Sequence, residues 1–221
     1  MTDLPDSEGL PRWYHDAVTL RREIHMHPEL RFEEHHTARV LSERLTELGY
    51  TVKTGVGGTG VVATMKRGEG ANVVLRADMD ALPLTEVGDH EYRSQIDGVM
   101  HACGHDVHTA VVTAAARLLG EDDVWAGTVT ILMQPAEEIP YGEKSGARAV
   151  IESGAIDFTD ATVLGLHCWP WLPIGTIGID PTVAMASKDA FRIVMRGATT
   201  HAASPVDGRD AILAMSDLVS T

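Results

Sequence analysis

Within His101-Ala102-Cys103-Gly104-His105-Asp106 the chain concentrates a thiol, two imidazoles and a carboxylate. Thiolate and imidazole are soft and borderline ligands that suit zinc and related divalent ions. A second cluster, Gln134-Pro135-Ala136-Glu137-Glu138, sets two carboxylates side by side. Adjacent acids can divide the labour, one holding a cation and the other moving protons. Together the clusters predict a metal-activated water and therefore hydrolysis.

Each signal has a plainer alternative. Cys103 and His105 stand two apart, a spacing that does not face one way on a helix. They converge only on an extended or turn segment, which Gly104 permits, with His105 then opening the following helix. The alternative is a buried thiol beside a capping histidine. His101 is close too, but a third ligand within so few residues would be crowded. Glu137-Glu138 is either a site at the end of a buried strand, where open α/β sheets place theirs, or a solvated acidic loop. His167 follows the apolar run Val163-Leu164-Gly165-Leu166, as a further ligand or as a satisfied edge residue. Asp78 and Asp80 follow another apolar run. They either orient a histidine ligand or form the turn before Pro83.

The elements that must position these residues follow from periodicity. Residues 13–27 and 33–48 read as helices, the second with Ala38, Leu41, Leu45 and Leu48 on one face and Gly49 as its stop. Strands are predicted over 51–54, 60–66, 72–78, 128–133 and 161–167, the third and last as buried strands. Helices are predicted over 105–119 and 146–153. Alternation of strand and helix predicts an α/β domain with a mixed sheet and helices on both faces. After Asp180-Pro181 the character changes. Residues 189–196 alternate as a half-buried strand does, and 207–219 read as an amphipathic helix with Ile212, Met215 and Val219 inward. A strand and a helix cannot close a core alone. The expected division is therefore a domain over 1–181 and the start of a small second domain over 182–221.

Other chemistries lack their signatures. There is no H-E-x-x-H helix and no H-x-E with P-C-x-x-C. Gly142-Glu143-Lys144-Ser145-Gly146 misses the G-x-S-x-G spacing. Gly55-Val56-Gly57-Gly58-Thr59-Gly60 matches G-x-G-x-x-G, but strand-like residues follow it where a nucleotide site needs a helix, so a turn between strands is expected. At 221 residues and 44% hydrophobic the chain can bury a globular core. Its net charge of −14 argues against nucleic acid and anionic membranes as partners. The two cysteines support no disulfide framework. No run approaches the ~18 apolar residues of a membrane span. Residues 1–10 lack the apolar stretch of a signal peptide, and a cytoplasmic location is expected.

Read together, these segments resemble the M20 metallopeptidase and amidohydrolase family, in the branch of N-acyl-amino-acid amidohydrolases that includes hippurate hydrolases. The stretches that carry the resemblance are His27-Pro28-Glu29-Leu30 with Glu34 and Thr37, Arg76-Ala77-Asp78-Met79-Asp80-Ala81-Leu82-Pro83, residues 100–106, Gln134 to Glu138, Gly165-Leu166-His167 and residues 197–205. The resemblance implies two divalent metal ions, zinc or manganese first and nickel or cobalt as alternatives. They would be held by Cys103 as the bridging ligand with His105, Glu138 and His167. It implies Glu137 as general acid/base, Asp80 as support for a ligand, and His201 as a substrate-binding residue on a small dimerisation domain. Thr199-Thr200 stand where the family has smaller residues. The implied reaction is hydrolysis of the amide bond of a small N-acyl amino acid, hippurate-like, through a metal-bridged water. A dipeptidase or carboxypeptidase using the same ligands is the alternative, and Cys103 favours the former because the peptidase branches tend to have aspartate there. Family members also continue past this length, adding a last histidine ligand and forming homodimers. On that ground the chain is expected to be an N-terminal portion, and a non-catalytic fragment is the third reading.

Overall fold

In a computed structural model, which describes residues 9–140, 142–183, 185 and 191–220, the periodic segments become helices and one sheet. In chain order they are α1 (Arg12–Met26), α2 (His35–Glu47), β1 (Thr51–Val56), β2 (Gly60–Arg67), β3 (Ala71–Asp78), α3 (His105–Glu121), β4 (Gly127–Gln134), α4 (Gly146–Ser153), β5 (Ala161–Gly165) and α5 (Ala211–Ser220). The chain divides into two units, Met1–Ile174 and Gly175–Thr221.

The sheet of the first unit has the order β1-β2-β4-β3-β5. β1 and β2 form an antiparallel hairpin, and β2 pairs antiparallel with β4. The glycine-rich motif is the hairpin turn, with Gly57 at φ 64° and Gly58 at φ 119°. β3 runs parallel to both β4 and β5. The sheet is therefore mixed, as expected.

Side chains alternate across this sheet with a period of two. Val61 and Ala63 of β2 and Val129, Ile131 and Met133 of β4 join Leu20, Ile24, Leu41, Leu45, Val112 and Ala116 in the larger core, under α1, α2 and α3. Val62 and Leu132 point the other way, to Val56, Val74 and Val150 of α4. The topology explains why both faces are covered. The chain crosses from β3 to β4 through α3, then back past β3 to β5 through α4. Right-handed crossovers in opposite directions place their helices on opposite faces.

The same topology brings three strand ends together. Asp78 of β3 pairs in register with Gln134 of β4, and Arg76 of β3 with Gly165 of β5. The segments that follow these strands carry Asp80, Glu137-Glu138 and His167 respectively, and all leave from one edge of the sheet.

Three expectations are corrected. The segment 161–167 is no buried strand: β5 ends at Gly165 and lies at the edge of the sheet, with Val163 and Leu164 each 52% exposed. An apolar run records what a strand can bury, and only its neighbours decide whether it does. In the second unit the strand expected over 189–196 is absent from residues 191–196, while 189 and 190 lie outside the described residues. The helix expected over 207–219 is a short 3-10 turn, Pro205–Asp207, followed by α5. Asp210 caps α5, its Oδ1 accepting from the backbone N–H of Ile212 at 2.8 Å and of Leu213 at 3.0 Å. No α5 residue is buried: Ile212 and Val219, expected inward, are 83% and 79% exposed. Among the described residues no helix is long and apolar enough to cross a membrane.

Candidate metal centre

Gly104 decides how the Cys103 and His105 side chains meet. It sits in the left-handed region at φ 83° and is the N-cap of α3, which His105 opens. A Cβ there would also collide with Cys168 Sγ. Glycine is thus needed for both conformation and space. Beyond this turn Cys103 Sγ lies 3.4 Å from His167 Nε2. Cys103, His105 and His167 each place a ligand atom within 4.8 Å of the others.

The segment after β4 arrives through a second special turn, at Ala136 with φ 46°. Buried Glu34 holds it: Oε1 accepts from the backbone N–H of Ala136 at 2.8 Å, and Thr59 donates its hydroxyl to Oε2. Burial pushes the Glu34 carboxyl above its usual range against those hydrogen bonds. Glu138 donates its backbone N–H to Asp80 Oδ2 at 2.7 Å, tying this segment to the end of β3. Ligand atoms of His105, Glu137 and Glu138 then fall within 4.8 Å of one another. The two ligand groups share His105.

The centre is strongly anionic. His105 is buried, with Nδ1 at 3.3 Å from Asp80 Oδ1 and Nε2 at 3.7 Å from Asp78 Oδ2. Burial opposes a charge on this ring, but Asp80, Cys103 and Asp78 outweigh it and raise its pKa to about 11. Loss of hydration, and then the neighbouring Glu138, push the Glu137 carboxyl upward. Asp78 goes the other way: despite burial, the hydrogen bond from His108 and the charges of His105 and Arg76 hold it below its ordinary range.

These residues fit a divalent cation. Asp80 Oδ1 and His105 Nδ1 are both buried, and neither has a hydrogen-bond partner. Such orphaned atoms are costly unless something else satisfies them. The donor set of one sulfur, imidazole nitrogens and carboxylate oxygens is that of zinc and its neighbours.

The predicted residues Cys103, His105, Glu137, Glu138, His167 and Asp80 thus collect at one edge of the first unit. His201 belongs to the second unit, where its Nδ1 accepts from the backbone N–H of Ala203 at 3.1 Å. Sequence reasoning missed Glu34 and His108. The spacing of His108 on α3, three residues after His105, was the available signal. His101 is buried with neither ring nitrogen partnered, and burial lowers its pKa to about 4.

His25 is a second buried histidine beside carboxylates. Nδ1 bonds Asp106 Oδ2 at 2.8 Å and Nε2 bonds Glu86 Oε1 at 3.0 Å. Burial disfavours its charge, but those hydrogen bonds prevail and raise its pKa. Glu86 is itself lowered to about 2, since hydrogen bonds from His25 and Ser94 outweigh burial. His90 adds a second imidazole on Glu86 Oε1 at 2.8 Å. Each nitrogen of His25 thus meets a carboxylate oxygen. These bonds tie α1 to the start of α3, although Asp106 Oδ1 is buried without a hydrogen-bond partner.

The model of peptidase family M20/M25/M40 matches residues 74–219. The chain belongs to the M20 family. Its M20 relatives include N-acetylcysteine deacetylase of Bacillus subtilis, 40% identical over 206 residues that make up 92% of this chain and 53% of the relative. Thermostable carboxypeptidase 2 of Saccharolobus solfataricus is also 40% identical, over 88% of this chain and 50% of the relative. Among solved M20 structures, the Bacillus subtilis YXEP protein, described as a dinuclear metal-binding peptidase, superposes with a TM-score of 0.68 at 39% identity, over 76% of this chain and 46% of that one. The chain spans about half the length of the curated relatives it matches.

Proposed function

We propose that this chain carries the metal-binding part of an amide hydrolase acting on small N-acyl amino acids. One observation carries the reading. Two ligand groups sharing His105 sit at a common sheet edge, and Glu137, a member of the second, has its carboxyl pushed upward in pKa. A carboxyl shifted in that direction is better matched to taking and returning a proton near neutrality.

In this reading Cys103, His105, Glu138 and His167 hold two divalent ions. Such ions supply Lewis acidity, polarising a carbonyl oxygen and lowering the pKa of water from about 15.7 towards about 7. Glu137 takes the proton of the attacking water on a carboxylate oxygen and returns it to the nitrogen of the leaving amine. Asp80 orients both ligand segments, through the Glu138 N–H and its proximity to His105. The products are a carboxylic acid and a free amino acid. Residues 1–181 would form the catalytic domain and 182–221 the start of a dimerisation domain, on which His201 contacts substrate, as the family resemblance implies.

The deacetylase relative supports N-acyl amino acids as the substrate class. The carboxypeptidase, at equal identity, supports peptides as a second reading. The test has two parts. Elemental analysis should find zinc or manganese retained by the chain and lost from His105→Ala. Hydrolysis of N-acetyl and N-benzoyl amino acids is then compared with that of dipeptides, with and without a complementary chain supplying a further histidine ligand. Faster turnover of N-acyl amino acids is expected. Preference for dipeptides establishes the second reading, and absence of metal uptake overturns both.

A further inference from the structure

His108 lies one turn into α3, wholly buried and beside the candidate ligands, but both of its nitrogens are already engaged. The backbone N–H of Cys168 points at Nε2 from 2.9 Å. A backbone N–H can only donate, so Nε2 carries a lone pair and the ring is neutral, with its proton on Nδ1. Nδ1 donates to Asp78 Oδ1 at 2.6 Å. Asp78 is held in turn by Arg76 Nη1 at 2.7 Å. No lone pair of His108 is left for an ion.

The contact continues to His167. Its Nδ1 lies 2.8 Å from the carbonyl oxygen of Cys168. A carbonyl only accepts, so Nδ1 of His167 bears the proton and Nε2 is left as an acceptor, hydrogen-bonded to Cys103 Sγ at 3.4 Å. The His108 and His167 rings also meet edge to face, with centroids 4.6 Å apart. Arg76, Asp78, His108 and the backbone of Cys168 therefore form one chain of contacts that ends on the His167 ring. This matters because His167 follows β5, an exposed edge strand held on one side only, by β3.

We infer that His108 is a positioning residue for the ligand His167: it pins the backbone of Cys168, whose carbonyl in turn sets the tautomer and angle of the His167 ring. This rests on the metal-centre reading above. Loss of a group that orients a metal-ligating histidine typically costs about 10–100-fold in metal affinity.

The test uses the 221-residue chain and cobalt(II), whose visible absorption reports ligand geometry. In metal-free protein, the nitrogen-15 shifts of His108 should show the neutral Nδ1–H form. His108→Ala should bind cobalt about 10–100-fold more weakly and shift its absorption bands. His108→Gln, whose amide oxygen can accept the Cys168 N–H, should recover most of the affinity and the wild-type spectrum. Val112→Ala, a buried truncation on the same helix, controls for stability and should leave affinity and spectrum unchanged. Wild-type cobalt affinity and spectrum in His108→Ala would overturn this inference alone, as would equal weakening in Val112→Ala. If His108→Ala does not fold, His108→Gln decides: metal binding as weak as in a chain lacking His167 overturns the inference. A wild-type chain that takes up no cobalt overturns the metal-centre reading together with it.

Discussion

Two buried histidines of the first unit each lie between two carboxylates, and they are held very differently. His25 is hydrogen-bonded at both nitrogens, at 2.8 and 3.0 Å. His105 is 3.3 and 3.7 Å from its carboxylates, with Nδ1 and the facing Asp80 oxygen lacking partners. In the first case the hydrogen bonds of the ring are complete. In the second, a cation with several ligands suits the space and the donors. Residue types alone do not separate a structural tie from a site. The separation lies in whether both nitrogens of the buried ring are satisfied: those of His25 are, and Nδ1 of His105 is not.

The largest expected effect that tests this contrast is at Glu137. Glu137→Gln should lower turnover about 10²–10⁴-fold with metal content unchanged. Loss of metal in elemental analysis would instead make Glu137 a ligand.

At the other histidine the expected loss is in stability. His25→Ala leaves Glu86 and Asp106 buried without their shared partner, and should cost about 3–5 kcal/mol in urea denaturation with metal affinity little changed. Weakened metal binding at unchanged stability would erase the distinction between the two clusters.

The pH dependence sharpens it further. Glu86 is lowered from 4.5 to about 2 on folding, so its contribution is fully present above pH 4.5 and is lost as pH falls towards 2. His25 is raised from 6.5, so its contribution is fully present below pH 6.5 and is lost as pH rises through its folded value. The stability gap between wild type and Glu86→Gln should be widest between these limits and shrink below pH 4.5. A gap that widens on acidification would contradict the assignment of Glu86 as an ionised partner.

The smallest effect is expected at His90, the partly exposed imidazole on the same Glu86 oxygen. His90→Ala should cost no more than about 1 kcal/mol, the usual limit for a solvent-screened pair. A larger loss would make His90 an integral member of the cluster.

Much of the first unit was legible from local pattern. α4 and the start of α3 agree with their predicted positions, and the first four strand predictions fall within β1 to β4. Gly104 was recognisable as the turn that lets Cys103 and His105 converge, because few other residues tolerate a φ of 83°. The second unit was less legible. α5 is an apolar helix with none of its residues buried, while α3 buries eight. Periodicity marks a face that can be covered but says nothing of what covers it.

By itself, the sequence determined the donor atoms, the turn between two of them, and the ends of the strands that carry the rest, since each follows from residue type and short-range spacing. The tertiary structure decided the strand order, which brings the segments after β3, β4 and β5 to one edge, and left β5 outermost. It also decided which nitrogens are free. Glu34 reaches Ala136, and His108 reaches both Asp78 and Cys168, across stretches of chain that no local period spans. Hydrogen bonds between residues distant in sequence depend on how whole elements pack. They fix the segments that carry Glu137, Glu138 and His167, which composition and spacing leave open.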